Sequence, residues 1–252
     1  MKEHVRRLLP RAIAPRRILA GPLRGTWMVT SWHDYPAGLS GRTERRLLAW
    51  FEAHVRPGET WIDVGAHYGY TAFALARLVG AAGRVVAFEP VPATAGCVDR
   101  GRTLNGFDQL VVLPFGLGAA ESREVRRLEL ARGMADSTRT TPAAGARGGD
   151  ALVPFVRFDW AWPLVHQGQP AIHGIKIDVQ GMELEALSGM RETLARWRPQ
   201  LVVELHAGVS RERVLTLLRE LGYSADAVPI EPARGEQTPQ FLDDRSYAFS
   251  PA

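Results

Sequence analysis

Short apolar runs that end beside an acidic residue recur along this chain, each followed by a stretch with helical spacing. Trp61, Ile62 and Val64 flank Asp63 and stop at Gly65; Val85 to Phe88 stops at Glu89. Further on, Ile175, Ile177 and Val179 alternate with Lys176 and Asp178, and LVVELH at 201–206 closes on Glu204 and His206. Runs of this length bounded by turn residues read as buried parallel strands. Residues 110–113 and 153–158 add two more, residues 126–130 an extra strand or hairpin arm, and residues 223–228 and 246–249 the last two. Helical spacing appears between them at 43–55, 70–79, 91–104, 182–197 and 211–221, with Pro57-Gly58 and Gly222 as stops. Alternation of strand and helix predicts an α/β fold with an open, mainly parallel sheet covered by helices on both faces. Gly-Pro and Arg-Gly turns within 18–31 predict a hairpin ahead of it. The expected division is an N-terminal extension over 1–41, comprising a basic arm and the hairpin, and a main domain over 42–252.

In such sheets ligands gather at the carboxyl ends of the strands. Asp63, Glu89, Asp178, Glu204 and His206 are all expected at such ends, so five polar groups are expected on one rim. The loop after the first strand, TWIDVGAHYG at 60–69, narrows the ligand. Gly65 and Gly69 remove β-carbons where the chain turns sharply, letting a ligand approach and letting the helix at Tyr70 start close to the strand. A dinucleotide fingerprint needs G-x-G-x-x-G, but His67 occupies the middle glycine position and would crowd a pyrophosphate, which disfavours NAD. Asp63, Gly65 and Gly69 lie closer to a D-x-G-x-G-x-G loop, and Glu89 suits the two hydroxyls of a ribose. A tight turn without any ligand is the plainer alternative.

Composition changes this picture little. Hydrophobic residues make up 46% and charged residues 23%, ordinary for a soluble protein. The net charge is +4, and of 31 basic residues only Lys2 and Lys176 are lysine. No arginine cluster is interleaved with aromatics, which disfavours nucleic acid as a partner. Cys97 stands alone, excluding an intramolecular disulfide and a cysteine-based zinc site and suggesting a reducing cytoplasm. No apolar run approaches the ~18 residues of a membrane span. The Arg-rich start is broken by Pro10, Pro15 and Pro22 and lacks a secretory core. It reads as a solvated segment packing on the domain or on a second subunit, which makes a homodimer plausible; a targeting arm is the alternative. The Trp32 to Tyr35 loop and the Gly, Ala, Ser and Thr-rich stretch at 133–150 are candidates for a substrate mouth and a lid, or for a packed loop and a flexible insertion.

WIDVGAHYGYTAFALARLVGAAGRVVAFEPVPATAGCV, Leu104-Asn105, IKIDVQGMELEALSGM and LVVELH together resemble the FkbM family of S-adenosylmethionine-dependent methyltransferases over about residues 42–207. The resemblance implies a Rossmann-like methyltransferase fold and, mostly, O-methylation of hydroxyls on natural products or sugars. His67 stands where the family loop has Asn, and Gln180 where its later motif has Glu. Gln180 thereby removes a negative charge beside Asp178.

For such a reaction the sequence nominates Asp63, Gly65, His67, Gly69, Tyr70, Glu89 and Pro90 for the cofactor. Gly65 and Gly69 back its methionine part, Asp63 supports the loop or the amino group, and Glu89 accepts from the ribose. Asp178, Glu183, Glu204 and His206 are the catalytic candidates. His206 has a reference pKa of about 6.5 and is the expected base, with Asp178 as alternative or orienting partner. Glu183 faces the same pocket or is simply an acid favoured at a helix start. A metal-free site acting on a small-molecule acceptor is expected; a divalent cation on Asp178, Glu204 and His206 is the lesser alternative. Competing functions are a non-catalytic cofactor-binding regulator and an RNA methyltransferase.

Overall fold

The computed structural model describes residues 8–119, 124–128, 140–142, 151–166, 170–206, 208–224, 226–231 and 245–252. An antiparallel hairpin opens the fold, β1 (Ala14–Arg17) on β2 (Trp27–Thr30). It uses the predicted turns but begins four residues before the predicted stretch, at Ala14. Trp27 donates its N–H to Asn105 Oδ1 and accepts from Asn105 Nδ2 through its carbonyl, pinning the hairpin to a helix of the main fold. Two helices follow, α1 (Pro36–Ser40) and α2 (Arg45–His54).

The main sheet then builds from β3 (Thr60–Val64), β4 (Arg84–Phe88) and β5 (Leu110–Leu113), joined by α3 (Tyr70–Val79) and α4 (Pro92–Asn105). After a small second sheet and α5 (Phe158–Val165), the chain returns to the main sheet as β10 (Gly174–Ile177) and β11 (Gln200–Leu205). The second sheet has the order β6-β9-β7-β8, from β6 (Gly116–Leu117), β7 (Glu124–Leu128), β8 (Thr140–Pro142) and β9 (Ala151–Val156). The strands expected at 126–130 and 153–158 therefore belong to it, each about two residues early. Apart from β8, the stretch proposed as a lid at 133–150 lies outside the described residues.

One expected helix is two. The run at 182–197 breaks into α6 (Glu183–Ser188) and α7 (Arg191–Trp197). Gly189 sits at the break, where a β-carbon would fall 2.3 Å from the Gly118 carbonyl oxygen, so close backbone packing interrupts the helix there. The chain ends with α8 (Arg211–Glu220), β12 (Val228–Ile230) and β13 (Arg245–Phe249). Tyr223 makes only a single bridge to Pro251, so the penultimate strand starts at Val228 rather than 223.

The seven main strands lie in the order β12-β13-β11-β10-β3-β4-β5, parallel except for β13, which runs antiparallel to both neighbours. From β3 the chain winds outward through β4 and β5, and from β10 the other way to β11. The reversal between β3 and β10 makes their carboxyl ends the topological switch point, where α/β sheets bind ligands. Strand side chains alternate between faces. Ile62, Val64, Ile175, Ile177, Leu201 and Val203 pack under α5 to α8, whereas Trp61, Val85, Ala87 and Val202 pack on the other face against α2, α3 and the hairpin residues Ile18 and Met28. By the same alternation Asp63, Lys176 and Glu204 fall on the hairpin side. No helix of the described residues is long and apolar enough to cross a membrane.

Candidate active site at the switch point

Register decides the centre of the site. Lys176 and Asp63 are direct neighbours across β10 and β3, and both side chains are buried. The Lys176 ammonium lies 3.3 Å from Asp63 Oδ1, 3.3 Å from Asp178 Oδ2 and 3.4 Å from the Gly65 carbonyl. Burial opposes its charge, but Asp63 and Asp178 more than compensate and its pKa is raised. Asp63 also accepts from Thr71 Oγ1 at 2.7 Å, tying the strand to the first turn of α3. Asp63 is fully buried, held between Thr71 and Lys176. Lys176, which the sequence offered as a nearly solitary lysine alternating with Asp178 on one face, links the two aspartates.

The loop between β3 and α3 is held from β4. Gly65 and Ala66 both donate to the Phe88 carbonyl, at 2.9 and 3.0 Å. Glu89 then takes His67 N–H on Oε2 at 2.8 Å and Val91 N–H on Oε1 at 3.0 Å, spanning half-buried Pro90. Burial pushes the Glu89 carboxyl up to about 7 against the pull of these two donors. A carboxylate has about four lone-pair positions, so two remain.

The glycines of this loop make the sharp turns the sequence suggested, and they also lie against the protein's own chain. A β-carbon on Gly65 would fall 1.8 Å from the Asp178 carbonyl oxygen, and one on Gly69 would fall 2.9 Å from Phe73 and Val98. Both have positive φ, +83° and +86°. They admit the protein's own chain, bringing β3 close to the end of β10 and α3 close to α4. His67 is also left-handed, at φ +49°. Its ring meets Tyr35 edge-on at 5.0 Å and Tyr68 at 4.4 Å, and burial lowers its pKa to about 4, leaving it neutral. Tyr70 is buried, 6.2 Å from Tyr35 between ring centres. Thus Tyr35, from the loop before α1, packs on the cofactor-loop candidates.

The catalytic candidates form one cluster around His206. Its Nδ1 lies 2.7 Å from Glu183 Oε1, and Glu183 is fully buried; the same oxygen accepts Gly181 N–H at 3.0 Å. Its Nε2 lies 2.8 Å from the Gln180 amide nitrogen and 3.6 Å from both Asp178 Oδ1 and Glu204 Oε1. Burial opposes the imidazolium, yet the Glu183 hydrogen bond and the charges of Asp178 and Glu204 lift the His206 pKa to about 9. Burial and Asp178 push Glu204 up to about 8, whereas Lys176 and His206 pull Asp178 below the usual carboxylate range in spite of its burial. Glu44, just before α2, raises the pKa of Tyr35, Lys176 and Glu204 by its charge, so the N-terminal part of the fold reaches this site too. Helical spacing placed Glu44 inside the helix expected at 43–55, but α2 starts at Arg45 and Glu44 sits in the turn before it at φ +55°, which sets its position.

The structure thus links Asp63 to Asp178 through Lys176 and Asp178 to His206 through Gln180, sets Glu204 3.6 Å from the imidazole, puts Glu183 behind it, and places Glu89 on the loop at β4. These features fit an adenosyl sulfonium ligand: a buried acid with acceptor positions left over for a vicinal diol, beside an acidic cluster for cationic groups.

Comparison with known proteins agrees with this reading of the fold. The family described as "Methyltransferase FkbM domain" matches residues 63–225. A ribosomal protein L11 methyltransferase from Thiobacillus denitrificans (strain ATCC 25259 / T1) is 33% identical over 110 residues, covering 38% of this chain and 36% of that protein. The chain therefore spans about a third of the length of that curated relative. Among solved structures, Aeropyrum pernix fibrillarin with natively bound S-adenosyl-L-methionine is 12% identical with a TM-score of 0.51, covering 95% of this chain and 88% of that one. Precorrin-6y C5,15-methyltransferase from Geobacter metallireducens GS-15 is 14% identical with a TM-score of 0.50, covering 83% and 89%. At these identities the structural likeness shows the fold, a Rossmann-like methyltransferase sheet.

Proposed function

Because this chain belongs to the FkbM methyltransferase family, we propose that it moves a methyl group from S-adenosylmethionine to a hydroxyl of a small molecule, a natural product or a sugar. One observation carries the choice of donor: Glu89, buried at the end of β4, grips the β3–α3 loop with two of its lone-pair positions and keeps two for the ribose hydroxyls. S-adenosylmethionine supplies an electrophilic methyl carbon on a cationic sulfur. In this reading Gly65, His67 and Gly69 back the methionine part, Tyr70 and Pro90 flank it, and Asp63 fixes the loop through Thr71 and Lys176.

Transfer breaks a carbon–sulfur bond as the carbon–oxygen bond forms, so the protein mainly aligns donor and acceptor and excludes water. The acceptor hydroxyl must also lose its proton. Asp178, kept ionised by Lys176 and the His206 imidazolium, receives it, with Glu183 holding the imidazole in place.

Calorimetric titration with S-adenosylmethionine, S-adenosylhomocysteine and NADH tests the donor, on wild type and Glu89→Ala. Micromolar binding of the two sulfur ligands, weakened at least about tenfold in the variant, supports the reading, as loss of one charge-assisted contact predicts. Binding of NADH alone, or of none of the three, overturns it. Mass spectrometry of incubations with hydroxylated natural products and sugars then tests the acceptor class by the gain of one methyl group.

A further inference from the structure

We propose that Asp178, Glu204 and His206, with Gln180 as a fourth arm, bind one divalent cation of the manganese or magnesium class. This departs from the metal-free site expected from sequence. The oxygen and nitrogen atoms that these three residues offer all lie within 4.8 Å of one another. His206 Nε2 is 3.6 Å from Asp178 Oδ1 and 3.6 Å from Glu204 Oε1, too long for hydrogen bonds but near the ~3 Å edges of an octahedral shell whose bonds are about 2.1 Å. A small movement of three side chains closes them on one ion.

Two further features point the same way. His206 is oriented through Nδ1 by the buried Glu183 carboxylate, the arrangement by which metal-binding histidines are fixed in ring position and tautomer, with Nε2 turned to the ion. Glu183 Oε2 is itself buried with no hydrogen-bond partner. Around this point, Asp63, Asp178, Glu183 and Glu204 bring four carboxylates against Lys176 and His206. Ionising all four against two cations leaves excess negative charge in a buried place, which is costly, and a divalent cation offsets that cost. Two carboxylates and an imidazole suit manganese or magnesium better than calcium, which takes oxygen donors.

Gln180 completes the argument. Its amide nitrogen lies 2.8 Å from His206 Nε2 and 3.4 Å from Asp178 Oδ1, within the same cluster. Turning the amide about its last torsion exchanges that nitrogen for the carbonyl oxygen, converting a donor into an oxygen ligand. If the methyl-transfer reading holds, the cation would bind the acceptor hydroxyl and lower its pKa; the proton leaves to water as the carbon–oxygen bond forms. Only this role rests on that reading.

The test titrates Mn²⁺ into the chelator-treated full chain and follows free ion by its electron paramagnetic resonance signal. One ion per chain with submillimolar affinity is expected. Asp178→Asn and Glu204→Gln each weaken it at least about tenfold, Asp99→Asn on the surface leaves it unchanged, and Gln180→Glu tightens it by supplying a charged oxygen. Circular dichroism melts confirm that each variant is folded. Absence of one-site binding at millimolar Mn²⁺, or affinity undiminished in folded Glu204→Gln, overturns the site; unchanged or weaker binding in Gln180→Glu overturns the role of Gln180. Binding of S-adenosylmethionine is measured on the same samples. Its survival without Mn²⁺ binding refutes the cation site alone, and its absence alongside Mn²⁺ binding refutes the donor reading alone.

Discussion

The Lys176 ammonium and the Asp63 carboxylate face each other at 3.3 Å on adjacent parallel strands, both nearly sealed from solvent. The pair joins the two halves of the sheet where its winding reverses. Removing one partner strands the other charge in the interior, which costs about 3–5 kcal/mol for a buried pair. Lys176→Met is therefore expected to lose stability of that order in urea denaturation, more than Asp63→Asn, which keeps the volume and leaves Lys176 a second partner in Asp178.

Gly65 and Gly58 provide a paired test of close approach against backbone conformation. Both have strongly positive φ, but a β-carbon at Gly58 meets nothing within 4 Å, whereas one at Gly65 meets the Asp178 carbonyl oxygen at 1.8 Å. Gly58→Ala is expected to cost only the conformational strain of about 1 kcal/mol. Gly65→Ala must also part β3 from the end of β10, so a distinctly larger fall in melting temperature is expected, with loss of S-adenosylmethionine binding in calorimetry.

Protonation of His67 sets an acid limb of stability. The unfolded imidazole takes up a proton below about pH 6.5, the native one only below about 4. Unfolding thus binds a proton in this window, so stability falls as pH drops from 6.5 to 4. The limit is about 3 kcal/mol at 1.36 kcal/mol per unit. His67→Asn, which also tolerates a left-handed backbone, is expected to flatten that limb in denaturant titrations at a series of pH values.

Glu183 controls the charge of His206. With the Glu183 hydrogen bond in place the imidazolium persists to about pH 9. In Glu183→Gln the same shape offers a weaker, neutral acceptor, so nuclear magnetic resonance titration of the His206 ring is expected to show the pKa moving down toward its ordinary range.

Much of this protein is written locally in its chain. The runs at Trp61 to Val64, Val85 to Phe88 and 201–206 are apolar enough to have one fate, burial in a parallel sheet, and each carries its acidic residue to the same edge because parallel strands share a direction. That is why Asp63, Glu89, Asp178 and Glu204 were legible as one rim from periodicity alone. Only the tertiary structure decided which of them touch. The β3–β10 register made Lys176 the partner of Asp63, although the two are 113 positions apart, and nothing in either strand's own pattern specifies that alignment. It showed that Gly65 makes room for the chain itself, since what a β-carbon there would meet, the Asp178 carbonyl, belongs to a distant segment, and that Gly69 does so for Val98 of α4. It brought Glu183 behind His206, gathered Gln180 between His206 and Asp178, and carried Tyr35 and Glu44 in from the N-terminal side. Those contacts depend on how separate elements pack, a property of the assembled sheet and helices that no short stretch of sequence contains.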